Sequence, residues 1–143
     1  MANIKPFKAF RPTRDKVHLV ASRSYISYTK PDLIRKLDEN PFTFLHILNP
    51  EYKTDKQSFT NSKGKFEKVK TKFTNFVNQQ ILIQDKRESY YVYRQIKDGH
   101  TYLGIIACAS VEDYYSNVIK KHESTITKRE EIFKNYLETV QIN

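Results

Sequence analysis

At 143 residues, with 38% hydrophobic and 13% aromatic side chains, the chain has apolar material for one core and is expected to form a single domain, which excludes wholesale disorder. No run approaches the ~20 apolar residues of a membrane span, and Met1-Ala2-Asn3-Ile4-Lys5-Pro6 lacks an apolar signal core, so a cytoplasmic protein with no membrane partner is expected. The net charge of +9 gathers at the amino end, where Met1 to Lys36 holds nine Lys or Arg against two acids; such a patch draws small phosphorylated metabolites, nucleotides or nucleic acid.

Ile4 to Phe10 alternates apolar and polar side chains and reads as a short strand closed by Arg11-Pro12. Val17 to Val20 reads as a second extended piece, and Ala21 to Thr29 as loop. Thr29, followed by Lys30-Pro31, supplies a hydroxyl cap and a first-turn proline for a helix running to about Asp38. Leu33, Ile34 and Leu37 form its buried stripe, and Asn40-Pro41 stops it. Phe42 to Leu48 is mostly apolar at both alternating sets of positions, which predicts an interior strand. Glu51 to Ser62 is polar and turn-rich, a mobile loop by expectation. Past Gly64, the spacing of Phe66, Val69, Phe73, Phe76 and Val77 predicts a helix with Lys65, Lys68 and Lys72 on a solvated face.

Ile81 to Gln84 is short and strand-like. Ser89 to Ile96 and Thr101 to Ser110 then flank the turn dipeptide Asp98-Gly99, the pattern of a long hairpin. Its alternating tyrosines suit cross-strand packing better than base stacking, since Arg94 is the one cation within that first strand body. Cys108, the single cysteine, follows the apolar Ile105-Ile106-Ala107 and is expected as a buried, inert thiol. Ser110 can cap a short turn through Glu112-Asp113-Tyr114. Thr127 with Glu130 makes a capping box ahead of a helix whose apolar face is Ile132, Phe133, Tyr136, Leu137 and Val140. Strands and helices intermix without a repeated unit, so the fold class is α/β or α+β: a mixed sheet with a long hairpin and flanking helices.

The stretch from Val118 to Glu131, VIKKHESTITKREE, concentrates chemistry just ahead of that last helix. Unpaired N–H groups at a helix start favour an anion, and Lys120, Lys121, Ser124, Thr125 and Arg129 can hold phosphate oxygens there. Glu123 among these cations can be an ion-pair partner or a positioned base, with His122 orienting it or titrating near neutral pH. The plainer reading stays open: a capped helix whose lysines balance nearby acids. His18, His46 and His100 stand at no metal-ligand spacing, so no metal site is expected, and three glycines in all exclude a P-loop.

The segments IKPFKAFRPTRDKVHLVASRSY, NPFTFLHILNPE, SYYVYRQIKDGHTYLGIIACASVEDY and VIKKHESTITKREE, in this order, resemble the amino-terminal part of the bacterial family called domain of unknown function 1015, in its Bacteroidetes-like branch. Lys53 to Gln80 is the divergent part. Where most members read Pro-Pro-Tyr-Asp-Val this chain has Ser22-Arg23-Ser24-Tyr25-Ile26, and His-Glu-His-Thr becomes His122-Glu123-Ser124-Thr125. Members are much longer than this chain, so the resemblance implies a truncated amino-terminal part of a larger domain, inactive alone. Their continuation carries an Asp-Gly-His-His-Arg motif similar to that of ParB-like proteins and of free-serine kinases on that scaffold. Asp98-Gly99-His100 reads as the hairpin turn and not as that motif. The resemblance implies a phosphotransferase of serine or phosphoserine metabolism, a reading that members' gene neighbours in phosphoserine formation share. Glu123 would then be the base, with His122 beside it and Arg11 as a further phosphate ligand. The residues name no cofactor by themselves; such an enzyme would use a nucleotide with magnesium. A nucleic-acid-binding or non-catalytic structural module is the alternative.

Overall fold

The computed structural model describes residues 1–52, 63–120 and 127–142, leaving aside the side chains of Tyr25, Thr127, Lys128 and Arg129. The elements in chain order are β1 (Ile4–Lys5), β2 (Phe10–Pro12), α1 (Val17–Val20), a 3-10 turn (Tyr25–Ser27), α2 (Lys30–Glu39), α3 (Leu45–Leu48) and α4 (Lys63–Asn78). They continue with β3 (Leu82–Gln84), β4 (Tyr91–Lys97), β5 (His100–Ile106), β6 (Cys108–Ala109), α5 (Val111–Tyr115) and α6 (Thr127–Val140). Helices and strands mix as expected, and the described strands form three pairs, β1 with β6, β2 with β3 and β4 with β5. The chain divides into two compact units: a hairpin unit, Met1–Arg11 with Gln84–Ser124, and a helical unit, Pro12–Ile83 with Thr125–Asn143.

In the helical unit α2 follows its signals closely. Thr29 accepts the Asp32 N–H at the cap, proline sits in the first turn, and Leu33 and Leu37 are buried, with Ile34 half-buried beside them. Asn40 ends the helix and starts the next turn. Its amide nitrogen donates to the Leu19 carbonyl at 2.7 Å, and its amide oxygen accepts the Phe42 N–H at 3.0 Å.

These bonds bear on two corrections. Val17–Val20 is a helical turn and not an extended piece, and Phe42 to Leu48 is a turn leading into α3 and not a strand. The Leu19 and Val20 carbonyls, left open at the end of α1, accept from Asn40 and from the Phe44 N–H. A short apolar run carries no period that separates buried helix from buried strand, and here long-range partners decide. The interior position was read correctly: Thr43, Leu45 and Ile47 are buried.

α4 packs against α3 and α6. Phe66, Val69 and Phe76 join Val20, Ile47, Ile81, Leu82 and Val140 in the main core, with Phe73, Val77, Ile132 and Tyr136 packed around it. Leu33, Leu37 and Leu45 form a second cluster with Tyr28 and Tyr52. On α4, Lys68 and Lys72 are exposed; Lys68 pairs with Glu51. On α6 the buried stripe is narrower than the spacing suggested. Ile132, Tyr136 and Val140 face inward at four-residue intervals, whereas Phe133 and Leu137, each about 100° round the helix, are exposed. Most of the loop expected over Glu51–Ser62 lies outside the described residues, as does the side chain of the Thr127 capping box.

In the hairpin unit β4 and β5 pair antiparallel from Tyr91↔Ile106 to Lys97↔His100. Asp98 and Gly99 turn the chain with φ of 50° and 78°, the left-handed pair that a tight two-residue hairpin demands. At the base of the hairpin the amino-terminal segment takes part: Ile4 and Lys5 pair with Ala109 and Cys108, and Phe7 bridges to Ser89. One side of the ladder carries Val92, Ile96, Leu103 and Ile105, exposed by 79, 65, 72 and 75%. Of the tyrosines expected in the hairpin's first strand, Tyr91 packs on Phe7 with ring centroids 5.0 Å apart, while Tyr90 and Tyr93 stay exposed. Cys108 is exposed and not buried. Apolar chain neighbours do not bury a residue when the ladder they stand in has open faces.

Candidate functional site

The stretch ahead of α6 was the expected site. α5 leads to it: Ser110 accepts the Asp113 N–H at the cap, Asn117 turns with φ 62°, and the Ile119 N–H returns to the Asp113 carbonyl at 3.0 Å. Asp113 also accepts the Asn3 N–H at 2.5 Å. This short reversal leaves Lys120 exposed. Lys121, His122, Glu123, Ser124 and Thr125 lie outside the described residues. Arg129 stands in the first turn of α6. Lys120 and Arg11 both belong to the hairpin unit.

Arg11 sits in a well-defined cluster. Its Nε donates to Asp85 Oδ1 at 2.6 Å, and the Tyr91 hydroxyl donates to Asp85 Oδ2 at 2.8 Å. The same hydroxyl accepts the Ala9 N–H at 2.9 Å and lies 3.2 Å from the Phe7 carbonyl. Asp85 is 16% exposed in its side chain, and its N–H donates to the Ala9 carbonyl. The Arg11 guanidinium, helped by the Tyr91 hydroxyl, holds the Asp85 carboxyl below the usual carboxylate range. Burial pushes the Tyr91 hydroxyl up, with the neighbouring carboxylate acting the same way, so it stays protonated as a donor. Asp85 neutralises the charge Arg11 would bring to an anion, while the terminal guanidinium nitrogens have no protein partner among the described residues. The arrangement ties the amino-terminal segment to the base of the hairpin and leaves half of a cationic fork open. Asp85 and Tyr91 were absent from the sequence reading as partners of Arg11, because 74 residues separate Arg11 from Asp85 and no local pattern links them.

In the helical unit a groove of about 520 Å³ runs between α4 and α6. Lys63, Glu67 and Lys70 of α4 and Asn135, Glu138 and Thr139 of α6 line it, over Phe66. Both signs of charge are interspersed, and no set of like groups converges on one point. His46 is half-buried, its Nε2 3.1 Å from the Asn40 carbonyl and its ring edge-on to Tyr52. Desolvation lowers its pKa, which keeps it neutral as a packing residue. Among the described residues no three His, Cys, Asp or Glu side chains are grouped to hold a metal, and no helix is long and apolar enough to cross a membrane.

The model of one protein family, described as "Protein of unknown function (DUF1015)", matches residues 4–143, nearly the whole chain. No curated protein and no solved structure matches.

Proposed function

Since the chain belongs to the DUF1015 family, whose description assigns no activity, we propose the reading that the resemblance of its segments implies: it is the amino-terminal part of a longer, ParB-like phosphotransfer protein of serine metabolism, acting in the cytoplasm. Glu123 takes the proton from a serine hydroxyl and His122 orients it. Lys120, Lys121, Ser124, Thr125 and Arg129, with the open side of Arg11, hold phosphate oxygens of a nucleotide carried with magnesium.

The crowding of cations and hydroxyls around a single carboxylate from Lys120 to Arg129, immediately before and into the first turn of a fourteen-residue helix, carries the reading. A helix start offers N–H groups and positive potential to an anion, and a carboxylate set among cations and hydroxyls in the sequence is the one candidate there for a positioned base. The family match spans this stretch, which sets it inside the family domain and not in an appended tail.

The test uses the complete natural gene product, assayed for phosphoryl transfer from a nucleoside triphosphate with magnesium to free serine. General-base catalysis contributes ~10²–10⁴-fold, so Glu123→Gln should cut turnover by about that factor while nucleotide binding persists. Turnover unchanged in that variant, or absent from the natural protein, ends the proposal.

A further inference from the structure

β5 is paired on one edge only. β4 takes that edge, and among the described residues no backbone group along the other edge of β5 is bonded. Soluble proteins ordinarily blunt a free edge with lysine, proline, a bulge or an inward charge. From Thr101 to Ser110 there is no Asp, Glu, Lys, Arg or Pro. We propose that the outer edge of β5 pairs antiparallel with β5 of a second copy of this chain, about a two-fold axis at Leu103, to give a four-stranded sheet in the order β4, β5, β5, β4.

The strand is self-complementary in that register. Leu103 meets the partner's Leu103, and Thr101 meets the partner's Ile105, a β-branched cross-strand pair. Tyr102 meets the partner's Gly104, where nothing lies within 4 Å of the place a Cβ would take. An aromatic ring laid over a strand glycine is a recurrent stabilising pair.

Charge selects this edge over the other. With β5 at the seam, Arg94, which lies across from Leu103 in the hairpin, is three strand spacings from the partner's Arg94. That is about 14 Å at ~4.8 Å per strand, beyond a screening length of ~8 Å. Pairing through β4 about its own centre would instead set Arg94 directly against itself. Area sets the strength. A seven-residue edge, roughly 24 Å long, buries far less than the ~800 Å² per partner of a standard interface, so the dimer is weak and concentration-dependent.

Sedimentation equilibrium on the 143-residue chain tests it, with the mass expected to rise from 17.0 kDa toward twice that value as concentration approaches roughly 1 mM. Leu103→Lys, at an exposed position, sets a charge against itself across the axis and should hold the chain monomeric with unchanged circular dichroism. Val92→Lys, on the same face but one strand from the seam, should leave dimerisation in place. In a Cys108→Ser background, Leu103→Cys should link to itself on mild oxidation, because opposed residues of an antiparallel pair lie ~4.5–5.5 Å apart at Cα, within disulfide reach. Val92→Cys should not. A wild-type chain that stays monomeric throughout overturns the proposal, as does a Val92→Lys variant that is as monomeric as Leu103→Lys, which would assign the association to the apolar face.

Discussion

The two units are stabilised in different ways. All eleven buried apolar residues among those described lie in the helical unit, where two clusters bring α2, α3, α4 and α6 together. The hairpin unit has none, and is held by a turn, a ladder and a set of polar ties between its amino-terminal segment and Asp85, Ser89, Tyr90, Tyr91 and Asp113. A two-stranded hairpin is marginal in water by itself, so these ties carry weight that a core would otherwise carry. Local signals can thus fix a conformation without a buried core beneath it.

The contrast is sharpest in truncation. Phe76→Ala empties part of the main core and should cost about 3–5 kcal/mol in chemical denaturation. Leu103→Ala, at an exposed position, should stay within about 0.5 kcal/mol. Amide exchange should follow the same division, with the Leu103–Ala109 amides weakly protected and those of α4 protected to the level of global unfolding. A large Leu103→Ala cost would break the comparison.

A smaller effect is expected at the turn. Gly99, at φ 78°, has room for a Cβ but not the conformation, so Gly99→Ala should cost about 1 kcal/mol. The cost should appear as lost protection along β4 and β5 while α4 and α6 exchange as before.

Acid should separate the units more gently. The Asp85 carboxyl is depressed by Arg11 in the folded chain, so its contribution is present above the ordinary carboxylate pKa and is lost as pH falls through the folded value. Protection in β4 and β5 should fall on acidification, and Asp85→Asn should remove that dependence. Asp15, itself exposed and lowered to about 2 chiefly by its neighbour Lys16, makes a pair of adjacent residues that the unfolded chain can also form, so it adds little to the pH profile.

The hairpin and the long helices were legible in the sequence because each carries its own punctuation: Asp98-Gly99, the Thr29 cap with Asn40 as stop, and the helical spacing of Phe66, Val69 and Phe76. Val17–Val20 and Phe42–Leu48 were misread because a short apolar run has no such mark, and Asn40, reaching back 21 residues to Leu19, supplies the partner no window contains. At the candidate site, residue chemistry was legible and partnership was not. Arg11 stood out as a cation, but its engagement by Asp85 belongs to the fold, and Lys121 to Thr125 lie outside the described residues.

The pairing of Ile4 and Lys5 with Ala109 and Cys108 has a consequence during synthesis. Ile4 and Lys5 leave the ribosome well before their partners, which at ~5–20 residues per second arrive on the order of ten seconds later. Through that interval α2 and α4 can form locally, while β1 remains open to whatever extended polypeptide it meets.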